Sequence, residues 1–244
     1  MKKIRIDKLL FEKGLIRSRE KAQSLIMAGC VLVNEVPVTK SGQFVNEEAV
    51  IRITGQDHPY VGRGGVKLAH ALKEFKIDVK DRVCVDVGAS TGGFTDCLLQ
   101  NGAAKVYAID VGYNQLDWKL RNDPRVVVME KTNIRKVEQV GRLNKLGVAV
   151  IDVSFVSLEK VLPHVDRLLQ NDGDIIALIK PQFEAGKGKV GKGGIVRDEK
   201  VREECVNKVM EAADGLKWVK NGLTRSPITG ADGNVEFLAW WVKR

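Results

Sequence analysis

Three acids and a lysine close apolar runs in this chain. Asp86 follows Val83-Cys84-Val85, Asp110 follows Val106-Tyr107-Ala108-Ile109, Asp152 follows Val148-Ala149-Val150-Ile151, and Lys180 follows Ile175-Ile176-Ala177-Leu178-Ile179. Runs of this kind fit parallel strands buried on both faces. In an open α/β sheet the carboxyl ends of the strands face the ligand crevice, so the four side chains are expected on one rim. A lysine at the end of a wholly apolar strand is costly unless it is paired or functional. It either salt-bridges a nearby acid or serves the site.

After Asp86 the chain drops into Gly88-Ala89-Ser90-Thr91-Gly92-Gly93-Phe94, ahead of a helix-like segment. Glycines let the backbone approach a ligand, and a helix N-terminus offers free N–H groups. The spacing is Gly-x-x-x-Gly-Gly, so the Gly-x-Gly-x-x-Gly dinucleotide fingerprint is not met. Asp110, at the end of the next run, can hold ribose hydroxyls. Together these features suit S-adenosylmethionine better than NAD. The expected cofactor contacts are Asp86, Gly88, Ser90, Gly92, Gly93 and Phe94 in the first strand and loop, with Asp110, Asn133 and Asp152 from later strand ends.

Other residues say less by themselves. Lys67, in Gly62-Arg63-Gly64-Gly65-Val66-Lys67, would be an ordinary surface lysine. Glu236, in an otherwise apolar strand, could be the polar face of a sheet edge. Residues 186–194 satisfy Gly-x-x-x-x-Gly-Lys, the start of a P-loop, but position 193 is glycine where a Mg²⁺-binding hydroxyl is needed. A nucleoside triphosphatase is therefore not expected. A basic loop touching phosphates and an inert flexible loop both remain open.

The bulk properties set limits. The chain has 244 residues and a net charge of +9, with 44% hydrophobic residues, enough for one or two packed domains. The positive balance favours an anionic partner, nucleic acid or an acidic surface. No apolar run approaches the roughly 20 residues of a spanning helix. Basic residues at the N-terminus lead into no signal core. Cys30, Cys84, Cys97 and Cys205 are widely spaced with no Cys-x-x-Cys pair, and His58, His70 and His164 are scattered. Neither a disulfide framework nor a metal site is expected, and a reduced, cytoplasmic protein is.

The elements that must position these residues fall into two groups. Residues 1–54 read as a small α+β unit. Ile6, Leu9 and Leu10 have helical spacing, Ser18 can cap a second helix, and Gly29 suits its stop. Short strands are expected at 31–33, 36–38 and 49–53. The first 21 residues carry eight Lys or Arg against three acids. Arg5, Lys8, Arg17, Arg19 and Lys21 could line one basic helical face. Residues 55–62 read as a linker. From 63 to 244 strands at 83–87, 105–109, 125–129, 147–152, 174–180, 217–223 and 235–242 alternate with helices at 64–76, 92–101, 115–121, 157–169 and 197–213. That is a parallel α/β sheet, with one of the last two strands antiparallel.

Against these residues a resemblance can be set. Arg5-Ile6-Asp7-Lys8-Leu9-Leu10, Ser18-Arg19-Glu20-Lys21-Ala22 and Ile26-x-x-Gly29-x-Val31-x-Val33-Asn34 resemble the S-four RNA-binding domain. The rest resembles the FtsJ-like ribose 2′-O-methyltransferases, whose Lys-Asp-Lys-Glu pattern is matched here by Lys67, Asp152, Lys180 and Glu236. The order of the two parts, and the runs Lys180-Pro181-Gln182-Phe183-Glu184 and Gly191-Lys192-Gly193-Gly194-Ile195-Val196-Arg197-Asp198, resemble the TlyA family. Ser90-Thr91 departs from the Ala-Pro of many FtsJ-like members.

The resemblance implies a Rossmann-like methyltransferase sheet with a small N-terminal RNA-binding domain. It implies S-adenosylmethionine as cofactor and cytidine 2′-O-methylation of ribosomal RNA, with the large subunit favoured as partner. It implies Lys180 as proton acceptor, Lys67 as substrate contact, and Asp152 and Glu236 as orienting acids. Two other readings compete: a catalytically idle RNA-binding or assembly protein, and a membrane-active hemolysin. The second lacks an amphipathic or spanning segment.

Overall fold

Wholly apolar strands at the centre of a sheet, and helices laid over both of its faces, organise the larger part of the molecule. The computed structural model describes residues 3–16, 18–27, 29–53, 58–137, 146–186, 188–230 and 232–244. The chain divides into two compact units, residues 1–58 and 59–244.

The first unit runs β1 (Lys3–Arg5), α1 (Ile6–Glu12), α2 (Arg19–Met27), β2 (Val31–Val33), β3 (Val36–Val38), β4 (Phe44–Asn46) and β5 (Ile51–Ile53). Ser18 Oγ accepts from the Lys21 N–H at 3.2 Å and so starts α2. Gly29, at φ +68°, ends it. Asn34 and Glu35 both take positive φ in the two-residue turn between β2 and β3. Ile6, Leu9, Leu10, Ala22, Ile26 and Val31 form its core. Two strands lie outside the expected pattern. β1 and β4 pair with each other, and at three residues each they are too short for alternation to be read. The strand expected at 49–53 begins only at Ile51, because Ala49 closes a turn on the Asn46 carbonyl.

The second unit runs α3 (Gly64–Phe75), β6 (Val83–Val87), α4 (Gly93–Gln100), β7 (Lys105–Ile109), α5 (Trp118–Arg121), β8 (Val126–Met129), β9 (Leu146–Ile151), α6 (Leu162–Asp166), β10 (Leu169–Ile179), α7 (Pro181–Glu184), α8 (Glu199–Gly215), β11 (Val219–Arg225) and β12 (Phe237–Val242). The seven strands are ordered β11-β12-β10-β9-β6-β7-β8. β12 alone runs antiparallel, lying between β10 and β11. Alternation along β9 divides the core: Val148 and Val150 face the side packed by Leu68, Phe94 and Leu98. Ala149 and Ile151 face the side packed by Leu162, Val165 and Val209. The helix expected over 157–169 is shorter. A 3₁₀ turn (Leu158–Lys160) and α6 share that stretch, and β10 already begins at Leu169. Of the expected linker, residues 55–57 lie outside the described residues. Val61 N donates to Asp96 Oδ2 at 2.8 Å, and Gln100 Nε2 donates to the Pro59 carbonyl at 3.1 Å, which holds that end against α4.

Candidate active site

The carboxyl ends of β6, β9 and β10 do meet at one rim. A cavity of about 420 Å³ opens there, within the range of small-molecule sites. Lys67, Asp152, Lys180 and Glu236 all line it, with Gly88, Ser90, Gly93 and Phe94 from the glycine loop. The two lysines are each held by an acid. Lys67, on the first turns of α3, is ion-paired to Glu236, and both side chains are buried. Glu236 reaches that place because β12 enters the sheet beside β10. Lys180 caps α7, where Pro181 follows at the first helical position. Its Nζ lies 2.6 Å from Asp152 Oδ1 and donates to Ser154 Oγ at 2.9 Å.

Close backbone contact explains the loop. Gly88 has φ +88°, and a Cβ there would stand 2.4 Å from the Asp152 carbonyl oxygen. Gly93 lies so near the Gly65 N and Gly62 O, 3.0 and 3.1 Å from where its Cβ would be, that the start of α3 packs directly on the start of α4. Gly62-Arg63-Gly64-Gly65 thus delivers Lys67 to the rim.

Four expected cofactor residues stand back from the cavity lining. Asp86 is fully buried beneath the loop and accepts from Thr95 Oγ1 at 2.7 Å. Burial raises its carboxyl to about 7, opposed by the Thr95 hydrogen bonds and assisted by the charges of Asp152 and Asp110. Asp110 accepts the Ser90 N–H at 2.8 Å on one oxygen and the Gly112 N–H at 2.6 Å on the other. It therefore shapes the loop, keeping further acceptor sites on the same oxygens. Gly92, at φ +96°, caps α4 against Leu116 and Leu120. Asn133 is exposed, and its side chain accepts from Arg135 N at 3.0 Å to start a 3₁₀ turn.

Sequence reasoning passed over several lining residues: Arg63, Ser154, Phe155, Gln182, Phe183 and Asp232. Phe155 is 91% exposed at φ +64°, and its ring lies 5.1 Å from that of Phe183. An aromatic three residues after the strand-ending Asp152 was the available signal. In the 186–194 loop Lys189 pairs with Glu204 at 2.5 Å, and the buried Asn234 ties the loop down by donating to the Gly194 carbonyl and accepting from Val196 N. Lys187 lies outside the described residues.

On the first unit Arg5, Lys8 and Arg19 are exposed. Lys8 pairs with Glu12 at 3.5 Å. Lys21 Nζ donates to the His58 carbonyl at 3.2 Å. Arg17 lies outside the described residues.

A methyltransferase sheet whose rim carries two lysine–acid pairs defines the class, and the chain belongs to the FtsJ-like methyltransferase family, which matches residues 60–243, with an S4 domain at residues 4–51. Among its relatives is the 16S/23S rRNA (cytidine-2′-O)-methyltransferase TlyA of Mycobacterium tuberculosis, 45% identical over 240 residues, 98% of this chain and 90% of the relative. The 23S rRNA (cytidine-2′-O)-methyltransferase TlyA of Campylobacter jejuni is 34% identical over 249 residues, 95% of this chain and 96% of the relative. A solved structure from Streptococcus thermophilus, described as a hemolysin, superposes with a TM-score of 0.78 at 44% identity, covering 100% of this chain and 89% of that one. Among the described residues no helix is long and apolar enough to cross a membrane.

Proposed function

We propose that this protein transfers a methyl group from S-adenosylmethionine to the ribose 2′-hydroxyl of a cytidine in ribosomal RNA, acting in the cytoplasm with the large subunit as preferred substrate. One observation carries the reading: both lysine–acid pairs and the glycine loop line one cavity. The residues present fit the methyl donor. The cavity has the volume for it, and Asp152, which lines the cavity at the end of β9, sets an acid where a cationic group would rest.

When bound, S-adenosylmethionine supplies an electrophilic methyl on a cationic sulfur. The protein's part is to place the hydroxyl in line with it and to take its proton. Lys180 is the proton acceptor, and a lysine performs that task only in its neutral form. Its contact with Asp152 aims the amine at the rim, and Ser154 fixes a second direction. Lys67, held by Glu236, supplies positive charge to the RNA backbone beside the reacting ribose. Alignment of the two reactants provides much of the rate gain. No metal is needed, because a neutral thioether leaves and a side chain takes the proton. The first unit binds RNA through Arg5, Lys8, Arg17, Arg19 and Lys21.

The experiment is incubation of the protein with labelled S-adenosylmethionine and separated ribosomal subunits from an unmodified strain, followed by mapping of the label. A 2′-O-methylated cytidine in large-subunit RNA is expected. Donor binding without transfer to either subunit would sink the catalytic reading in favour of an idle RNA-binding protein.

A further inference from the structure

Asp7, in the first turn of α1, is an acid with no solvent-exposed surface. Burying a carboxylate is costly unless its oxygens are filled. Here five donors fill them. Lys8 N and Arg5 Nε donate to Oδ1 at 2.9 and 3.0 Å. Arg5 Nη2, Arg19 Nη2 and Gln23 Nε2 donate to Oδ2 at 2.9, 3.3 and 3.3 Å. These bonds hold the carboxyl far below the usual carboxylate range, Arg5 contributing most, so it stays charged at any physiological pH.

As the second residue of α1, Asp7 takes the Lys8 N–H, a bond that a serine or asparagine oxygen supplies as well. The arginines go beyond that bond. Arg5 gives Asp7 the Nε–Nη2 edge of its guanidinium and Arg19 gives one nitrogen, Nη2, and each side chain remains nearly half exposed, 44% for Arg5 and 47% for Arg19. Arg5 Nη1, and Arg19 Nε and Nη1, make no other hydrogen bond among the described residues. Both Nη2 atoms lie within 3.3 Å of the same carboxylate oxygen, which brings the two guanidinium groups together. Arg5 also lies against the backbone at Gly42, whose Cβ position is 3.7 Å from its Cζ.

We infer that Asp7 is a positioning residue that holds Arg5 and Arg19 as one preformed clamp for the RNA phosphate backbone. The inference rests on the reading that these arginines contact RNA. Planar guanidinium forks recognise phosphate by paired hydrogen bonds, and fixing them during folding removes the ordering cost at binding.

Simple charge counting gives the opposite sign, which makes the test decisive. Replacing an acid beneath a phosphate site by a neutral residue should tighten RNA binding; loss of the clamp should weaken it. The full chain is titrated with 23S ribosomal RNA by filter binding over a series of KCl concentrations, using wild type, Asp7→Asn, Arg5→Gln/Arg19→Gln and the triple variant. Asp7→Asn is expected to bind about tenfold more weakly with a shallower salt slope, and the triple variant no more weakly than the double. Equal or tighter binding by Asp7→Asn beside a weakened double variant would overturn the clamp and leave the arginine contacts standing. A double variant that binds like wild type would overturn both. Asp7→Ser keeps a side-chain oxygen for the Lys8 N–H without the charge, and it decides the matter if Asp7→Asn melts the first unit, as followed by circular dichroism.

Discussion

Lys180 and Asp152 sit where two neighbouring strands run out, and variants there test whether binding and turnover separate. Lys180→Ala is expected to reduce turnover by about 10²-fold or more while donor affinity, measured by calorimetry, stays nearly unchanged. Lys180→Arg keeps the charge and cannot accept a proton near neutral pH. It should be as inactive as the alanine variant in single-turnover assays, and an active Lys180→Arg would make the residue an electrostatic contact only. Asp86 gives a prediction in pH. Its folded carboxyl titrates at about 7, against 3.8 for the ordinary group. The folded state therefore holds the proton more tightly than the unfolded chain does. Its destabilising share is absent below the lower value, grows as pH rises, and is complete above the upper one. Asp86→Asn should flatten that fall in melting temperature between about pH 4 and pH 7; a variant that keeps the wild-type slope would assign it elsewhere. Lys180 and Asp152 were legible in the sequence because a charge interrupts a wholly apolar run. Lys67 and Glu236 were not, since 169 residues separate the partners and neither has a local pattern. Only the family resemblance joined them. Asn133 carries no such pattern, and its side chain starts a 3₁₀ turn by accepting from Arg135 N.

At the scale of elements, the glycine loop transmits the sheet's order to the site. Gly88→Val would drive a side chain into the Asp152 backbone and strain a positive φ. Calorimetry should find no donor binding, while the first unit keeps its circular dichroism and RNA affinity; normal donor binding would mean that the loop tolerates displacement. The α3–β12 contact gives a second test. Lys67→Met leaves Glu236 buried without its partner, whereas Lys67→Met/Glu236→Gln does not. The single variant should be less stable than the double by about 1–3 kcal/mol in urea unfolding. Central strands such as β6, β7 and β9 could be read almost to the residue, because burial on both faces writes continuous apolar runs. The short β1 and β4 carry no such signal. Over 157–169, Pro163 and the early return to β10 broke what apolar spacing alone presented as one helix.

Across the whole molecule, the net charge of +9 and the basic first unit make RNA affinity a salt-dependent quantity. A protein reduced to residues 59–244 keeps both hydrophobic clusters of the sheet. It should bind S-adenosylmethionine like the full chain yet label ribosomal subunits poorly. Equal labelling of subunits by the two would remove the division of labour between the units.

The place of β12 has a consequence for how the molecule is made. Among the described residues β11 pairs with no strand but β12, and β12 is the later of the two to leave the ribosome. Until it arrives, β10 keeps an open edge, β11 waits without a partner, and Lys67 has no carboxylate to meet. Insertion of a late strand between two earlier ones therefore closes the sheet and brings Glu236 to Lys67 in one event. A nascent chain halted before residue 236 carries an unprotected edge prone to pair with other chains.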